Sequence, residues 1–156
     1  MKELVISSKD NIIYKTHVDI LNNLFGKNYK GHQKASYIVN EYCWVWFPKF
    51  EKDKFGNIKV APSGWKNSYN KDYSVITTEP PVPKQPKKNN DIVLIFAMLE
   101  PQEYYFLGAY EFDDVNSNEH IHIRRRITNK VNLIGNPVNK IELMIEDSKC
   151  FYNEVK

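Results

Sequence analysis

A chain of 156 residues with net charge +3 and mean hydropathy −0.57 is long enough for one hydrophobic core, and its charge is too small to indicate nucleic-acid binding by itself. The longest apolar run, Ile92–Leu99, is far short of a membrane span, and Met1–Ile6 lacks the apolar stretch of a signal peptide. Cys43 and Cys150 stand alone without a C-x-x-C spacing, so they read as free thiols, and the expectation is a cytoplasmic protein with no membrane partner.

In chain order, Thr16 three residues before Asp19 marks a helix start, and Ile20, Leu21, Leu24 and Phe25 form an apolar stripe over about 17–25 that Gly26 ends. Tyr42–Phe47 is a strong strand, closed by Pro48. Strict alternation puts Tyr42, Trp44 and Trp46 on one face and Cys43, Val45 and Phe47 on the other. One of these faces is core. Either the tryptophans are buried, or they form an aromatic platform of the sort that stacks bases. Phe55-Gly56-Asn57 makes a turn, and Ile58–Ala61 reads as a short returning strand. Pro62-Ser63-Gly64 delivers Trp65 in a basic loop, where the indole either plugs the core or walls a ligand. Asn67 and Asn70 suit a base edge there, and Lys66 suits a phosphate. Tyr73–Thr78 is a further strand.

Residues 79–90 hold four Pro and three Lys with no apolar period, which predicts a long, partly extended surface loop. Ile92–Leu99 reads as a strand buried on both faces. Tyr104–Phe112 returns, with Gly108 at a bulge or close approach. Last come a strand over 121–127 and another over Ile141–Ile145, with Ile141, Leu143 and Ile145 inward. Helix first and strands afterwards, joined mostly by hairpin-length loops, predict an α+β fold. It would be a single domain, 1–156, built on a strongly curved, mostly antiparallel sheet or small open barrel with one or two helices packed outside.

Charge is segregated along the chain. Glu100–Asn118 carries five acids and no Lys or Arg, whereas Glu119–Lys140 carries five Lys or Arg and one acid. Within the basic stretch, alternation predicts His120, His122, Arg124 and Arg126 on one outward face, with Ile121, Ile123 and Ile127 inward. Donors repeating about every 6.6 Å along a strand suit a phosphate backbone. Arg125, on the apolar side, is expected to matter for folding.

Chemistry beyond binding has weak support. His120-x-His122 can chelate zinc, but no third ligand is spaced for it. Glu111, Asp113 and Asp114 suggest a metal-dependent nuclease, but a charged hairpin tip explains them more simply. No phosphate-binding glycine loop, H-E-x-x-H or G-x-S-x-G occurs. No catalytic residue, metal or cofactor is therefore expected.

Ser63-Gly64-Trp65-Lys66-Asn67, the strand Ile92–Ala97 and Tyr105-Phe106-Leu107-Gly108-Ala109-Tyr110-Glu111 together resemble the PUA-like superfamily, which includes YTH, EVE, ASCH and SRA-type modules. Residues 106–110 followed by 123–127 also look like small modules of bacterial restriction and phage-defence proteins. The resemblance implies a pseudo-barrel and a DNA or RNA ligand with a modified or flipped base. Trp65 would be one pocket wall, and Tyr69, Tyr73, Trp44 or Trp46 would stand in for further cage tryptophans. The expected nucleic-acid-binding set is Trp65, Lys66, Asn67, Tyr69, Trp44, Trp46, His120, His122, Arg124 and Arg126. The alternative is a small mobile-element-encoded inhibitor or regulator that binds a protein partner.

Overall fold

The structure, a computed structural model, describes residues 2–31, 34–86 and 91–144. One α-helix, one short 3-10 helix (Ser8–Asp10) and ten strands occur among them. Strand β1 (Glu3–Ser7) precedes helix α1 (His17–Phe25), followed by β2 (Ser36–Asn40), β3 (Cys43–Trp46), β4 (Lys66–Tyr69) and β5 (Val75–Glu79). Strands β6 (Ile92–Glu100), β7 (Glu103–Phe112), β8 (His122–Thr128), β9 (Lys130–Gly135) and β10 (Val138–Met144) complete the order. Seven strands form one sheet in the order β2-β3-β6-β7-β8-β5-β4, and three form a second in the order β1-β9-β10. The architecture is α+β and the pairing is antiparallel except between β3 and β6, which run parallel. The two sheets do not close into one barrel.

Helix α1 forms as its sequence signals require. The Thr16 hydroxyl accepts from the Asp19 amide at 3.0 Å, filling one donor that the first turn leaves open. Gly26 ends the helix at φ 71°, a left-handed conformation that costs glycine little. It also lies against the β9–β10 turn, where an added Cβ would collide with Asn136 Oδ1. Ile20, Leu21 and Phe25 are fully buried.

The seven-stranded sheet has a core on each face. On the helix side, Cys43, Val45 and Phe47 pack with Leu94, Phe96, Tyr104, Phe106 and α1. On the other side, Phe50, Ile76, Val93, Ile95, Leu107 and Tyr110 pack together, with Trp44, Trp46, Tyr69 and Tyr73 half-buried against them. The tryptophan face of β3 is thus opposite the helix, and Tyr42 is exposed. Strand β6 is buried on both faces, as its continuous apolar run requires. Gly108 takes φ 127°, where a Cβ would stand 2.5 Å from the Thr128 carbonyl oxygen and 2.7 Å from Arg126 Cδ. The β6–β7 register shifts beside it, between Ile95 and Phe96.

Several elements differ from expectation. Strands β1, β2, β4 and β9 carry no distinct sequence signal. Strand β1 is five residues long and pairs with β9 across most of the chain, Glu3 opposite Ile134. Asn132 ties this sheet together, its amide donating to Glu3 Oε1 at 2.6 Å and Glu142 Oε1 at 3.2 Å. Residues 58–61 form no strand, only a bridge between Lys52 and Ile58. On β10, Leu143 is exposed, and Ile145 lies outside the described residues.

The largest correction concerns β8. His122 is 7% exposed, whereas Ile121 and Ile127 are 37% and 40% exposed. His122, Arg124 and Arg126 therefore turn inward, while Ile121 and Ile127 face outward. Arg125, on the outer side, is bound through Nε to Asp113 Oδ2 at 2.5 Å, instead of lying against apolar core.

Hydrogen bonds from Asn116, with Arg125 next, hold the Asp113 carboxyl down at about 2, against an ordinary value of 3.8. A carboxyl depressed on folding stabilises the fold above its unfolded value, and that contribution is lost as pH falls through the folded one. Asp113→Asn should therefore lower the melting temperature at pH 5, and the difference from wild type should shrink steeply as pH falls toward 2 and below. A gap unchanged across a pH series of thermal melts would refute it.

Candidate nucleic-acid interface

Curling of the seven-stranded sheet opens a cavity of about 440 Å³ on the face away from α1. It lies where β3 and β6 begin, β7 ends and β8 begins. Trp44, Trp65 and Phe112 are its aromatic walls, with Val93, His122 and Arg124 between them. Ile38, which is 74% exposed, stands at the rim. The size falls within the ~300–1,000 Å³ of small-molecule sites.

The connection after β5 completes the wall. Lys84, Gln85 and Pro86 line the cavity. The Lys84 carbonyl bonds His122 Nε2 at 2.9 Å, and the Lys84 amide donates to the Glu119 carbonyl at 2.8 Å. Lys84 Nζ lies 5.6 Å from the Trp65 ring centre. The proline-rich segment, exposed over residues 81–85, is thus pinned across the start of β8. Its residues 87–90 lie outside the described residues.

Arg124 is the central polar group. Its guanidinium carbon is 5.5 Å from the Trp44 ring, 5.3 Å from Trp46 and 5.9 Å from Phe112. In sheet order β3 is three strands from β8, about 14 Å in a flat sheet. A long side chain on a curled sheet spans that gap, and Val93, small and also in the cavity lining, leaves room for it. Burial pulls the Arg124 pKa down to about 10, because leaving water disfavours the charged form; the group stays cationic at neutral pH.

The other expected residues divide. Trp65 is half-buried, and its ring centre stands 6.0 Å from that of His122, edge to face. Trp46 reaches the site through Arg124. Lys66 is exposed on β4, an edge strand, and does not line the cavity. Asn67 accepts from the Thr78 hydroxyl at 3.0 Å. Tyr69 packs away from the cavity, against Phe50 and Tyr73. Arg126 lies over Gly108 and donates to the Leu107 carbonyl at 3.2 Å. His120 precedes the strand, in a turn whose amides are held by Asn118, so it points to solvent beside Glu119. The two histidines do not converge, and no group of three His, Cys, Asp or Glu fit to hold a metal occurs among the described residues. Asp113 is engaged with Arg125 and Asn116, and Glu111 and Asp114 are exposed.

Sequence reasoning missed Phe112, Lys84, Gln85, Asn40, Glu41 and Asp91 as lining residues. Only Phe112 carried a signal: it shares the period-2 face of β7 with buried Tyr110.

Residues 1–133 match the SET and RING associated (SRA) domain family. The chain belongs to that family. It is a nucleic-acid-binding module of the class that reads modified or flipped bases in DNA. The PUA-like resemblance is thereby borne out at the level of the superfamily, through its SRA branch and not specifically the YTH, EVE or ASCH branches. Among solved structures, the SRA-family chain is similar to "The 5-Hydroxymethylcytosine-Specific Restriction Enzyme AbaSI", at TM-score 0.64 and 22% identity. The match covers 81% of this chain and 42% of the enzyme's, so this chain spans less than half of that enzyme's length. No curated protein matches. No described helix is long and apolar enough to cross a membrane.

Proposed function

We propose that this SRA-family chain reads a modified cytosine in DNA by taking the base out of the stack and seating it between Trp44, Trp65 and Phe112. The observation that carries this is the aromatic-walled cavity with a cation inside it. Extruding a base costs a few kcal/mol, which a pocket returns through stacking and through hydrogen bonds to the Watson–Crick edge. That edge of cytosine presents two adjacent acceptors, O2 and N3, and one amino donor. Glu41 and Asp91, also in the lining, offer carboxylate acceptors of the kind that suits the N4 amino group. Lys66 and Lys84 are exposed beside the site and supply charge toward phosphates.

The similar enzyme acts on a 5-hydroxymethylcytosine substrate and is a restriction enzyme, which supports a modified base and a restriction setting here. The proposal concerns recognition, and strand cleavage forms no part of it. Binding to duplexes that carry one central cytosine, unmodified, 5-methyl or 5-hydroxymethyl, tests it, with 2-aminopurine beside the site to report unstacking. At least one modified duplex should bind about tenfold tighter than the unmodified one, with a rise in 2-aminopurine emission. Equal affinity for all three and no change in emission would refute it.

A further inference from the structure

Three consecutive arginines on β8 meet three different fates. Arg125 is spent on the Asp113 carboxylate and Arg126 on the Leu107 carbonyl. The Arg124 side chain makes no hydrogen bond or ion pair with any described residue. Its surroundings are the rings of Trp44, Trp46 and Phe112, whose faces attract a cation but accept no conventional hydrogen bond. Glu41 and Asp91 line the same cavity, yet neither pairs with it.

A partly buried cation without a counter-charge in contact is costly. The rings offset part of that cost and also hold the guanidinium in place, so its donors are oriented before any ligand arrives. Such a group is complementary to a two-oxygen anion, which a guanidinium grips bidentately and a lysine does not. The space is there as well: 440 Å³ is roughly 15 times the liquid volume of one water, while cytosine has about eight non-hydrogen atoms. A base leaves room beside it.

We propose that Arg124 is a preformed oxyanion site within the cavity, and that the nucleotide seated there delivers an anionic oxygen pair to it. The assignment rests on the base-reading function proposed above. The anion is either the phosphodiester next to the extruded nucleotide or a carboxylate carried on the base.

Two of the chain's three tryptophans touch the guanidinium, so their emission reports its occupancy directly. The whole chain is titrated with inorganic phosphate and with acetate, ionic strength held constant with chloride. A saturable emission change is expected in the wild type. It should be lost in Arg124→Met and weakened about tenfold in Arg124→Lys, which keeps the charge but not the fork. Circular dichroism confirms that each variant is folded; should the Met variant fail to fold, the Lys variant alone decides. No saturable change in the wild type, or the same change in the folded variants, overturns the proposal.

Duplexes then identify the source. Methylphosphonate linkages flanking the modified cytosine should weaken wild-type binding about tenfold more than Arg124→Met binding if the phosphate is the anion. A 5-carboxyl cytosine should instead bind about tenfold tighter than 5-methyl, only in the wild type, if the base carries it. Loss of modification preference with the anion response intact counts against base reading alone. Preference retained with no anion response counts against Arg124 alone.

Discussion

Replacing Trp44 and Trp65 together with alanine should lower affinity for DNA carrying the recognised base by about 2–6 kcal/mol, since each stacking ring contributes about 1–3 kcal/mol. That is a loss of roughly 30-fold to 10⁴-fold. Both rings stand at the cavity wall and both are half-buried, so each has surface to offer a ligand. Stability should fall by less than the ~3–5 kcal/mol of a fully buried aromatic truncation. The two changes should not simply add: Trp44 also flanks Arg124, and groups that share a partner couple. Binding and thermal melts on the single and double variants separate the effects. Large destabilisation with unaltered affinity of the folded fraction would make both rings structural and remove the pocket from the account.

The second large effect lies on the opposite face. Phe96 is fully buried on β6, with ring centres 5.8 Å from Tyr14, 6.2 Å from Phe25, 6.1 Å from Phe47 and 5.0 Å from Phe106. Phe96→Ala should cost about 3–5 kcal/mol, from lost transfer energy and the hole left behind. For a chain of this size each kcal/mol lowers the melting temperature by about 2–4 °C, so a fall of roughly 6–20 °C is expected. Affinity of the folded fraction should stay the same, because the sheet itself separates Phe96 from the cavity. A drop in that affinity comparable to that of the tryptophan variants would mean the two faces are coupled.

What the sequence made legible was local. Thr16, Asp19 and Gly26 set the ends of α1 through their own hydrogen bonds and dihedral angles, and neighbours along the chain suffice to specify these. The run Ile92–Leu99 was readable because only a strand covered on both sides tolerates it. Alternation along β8 was also readable, but alternation says that two faces exist and not which one turns inward. That choice was made by Trp44, Trp46 and Phe112, distant in sequence, whose rings accommodate a guanidinium that would ordinarily face water. The same limit hid β1 and β9, whose partners lie more than a hundred residues apart. It hid the role of Lys84 too, which depends on His122 and Glu119. Trp65 was singled out because a large apolar ring in a turn-rich segment must be covered by something, and it stands half-buried beside His122.

The strap from Pro80 to Pro86 is joined to the sheet through few contacts, chiefly those of Lys84 and Gln85 with Glu119 and His122. Lengthening a loop costs little, about 0.6 kcal/mol per doubling. One wall of the proposed binding site is therefore an exchangeable part. Insertions, deletions or swaps there would reshape the cavity while both cores stay untouched, so a lineage could acquire a new target base by editing seven residues rather than rebuilding a fold.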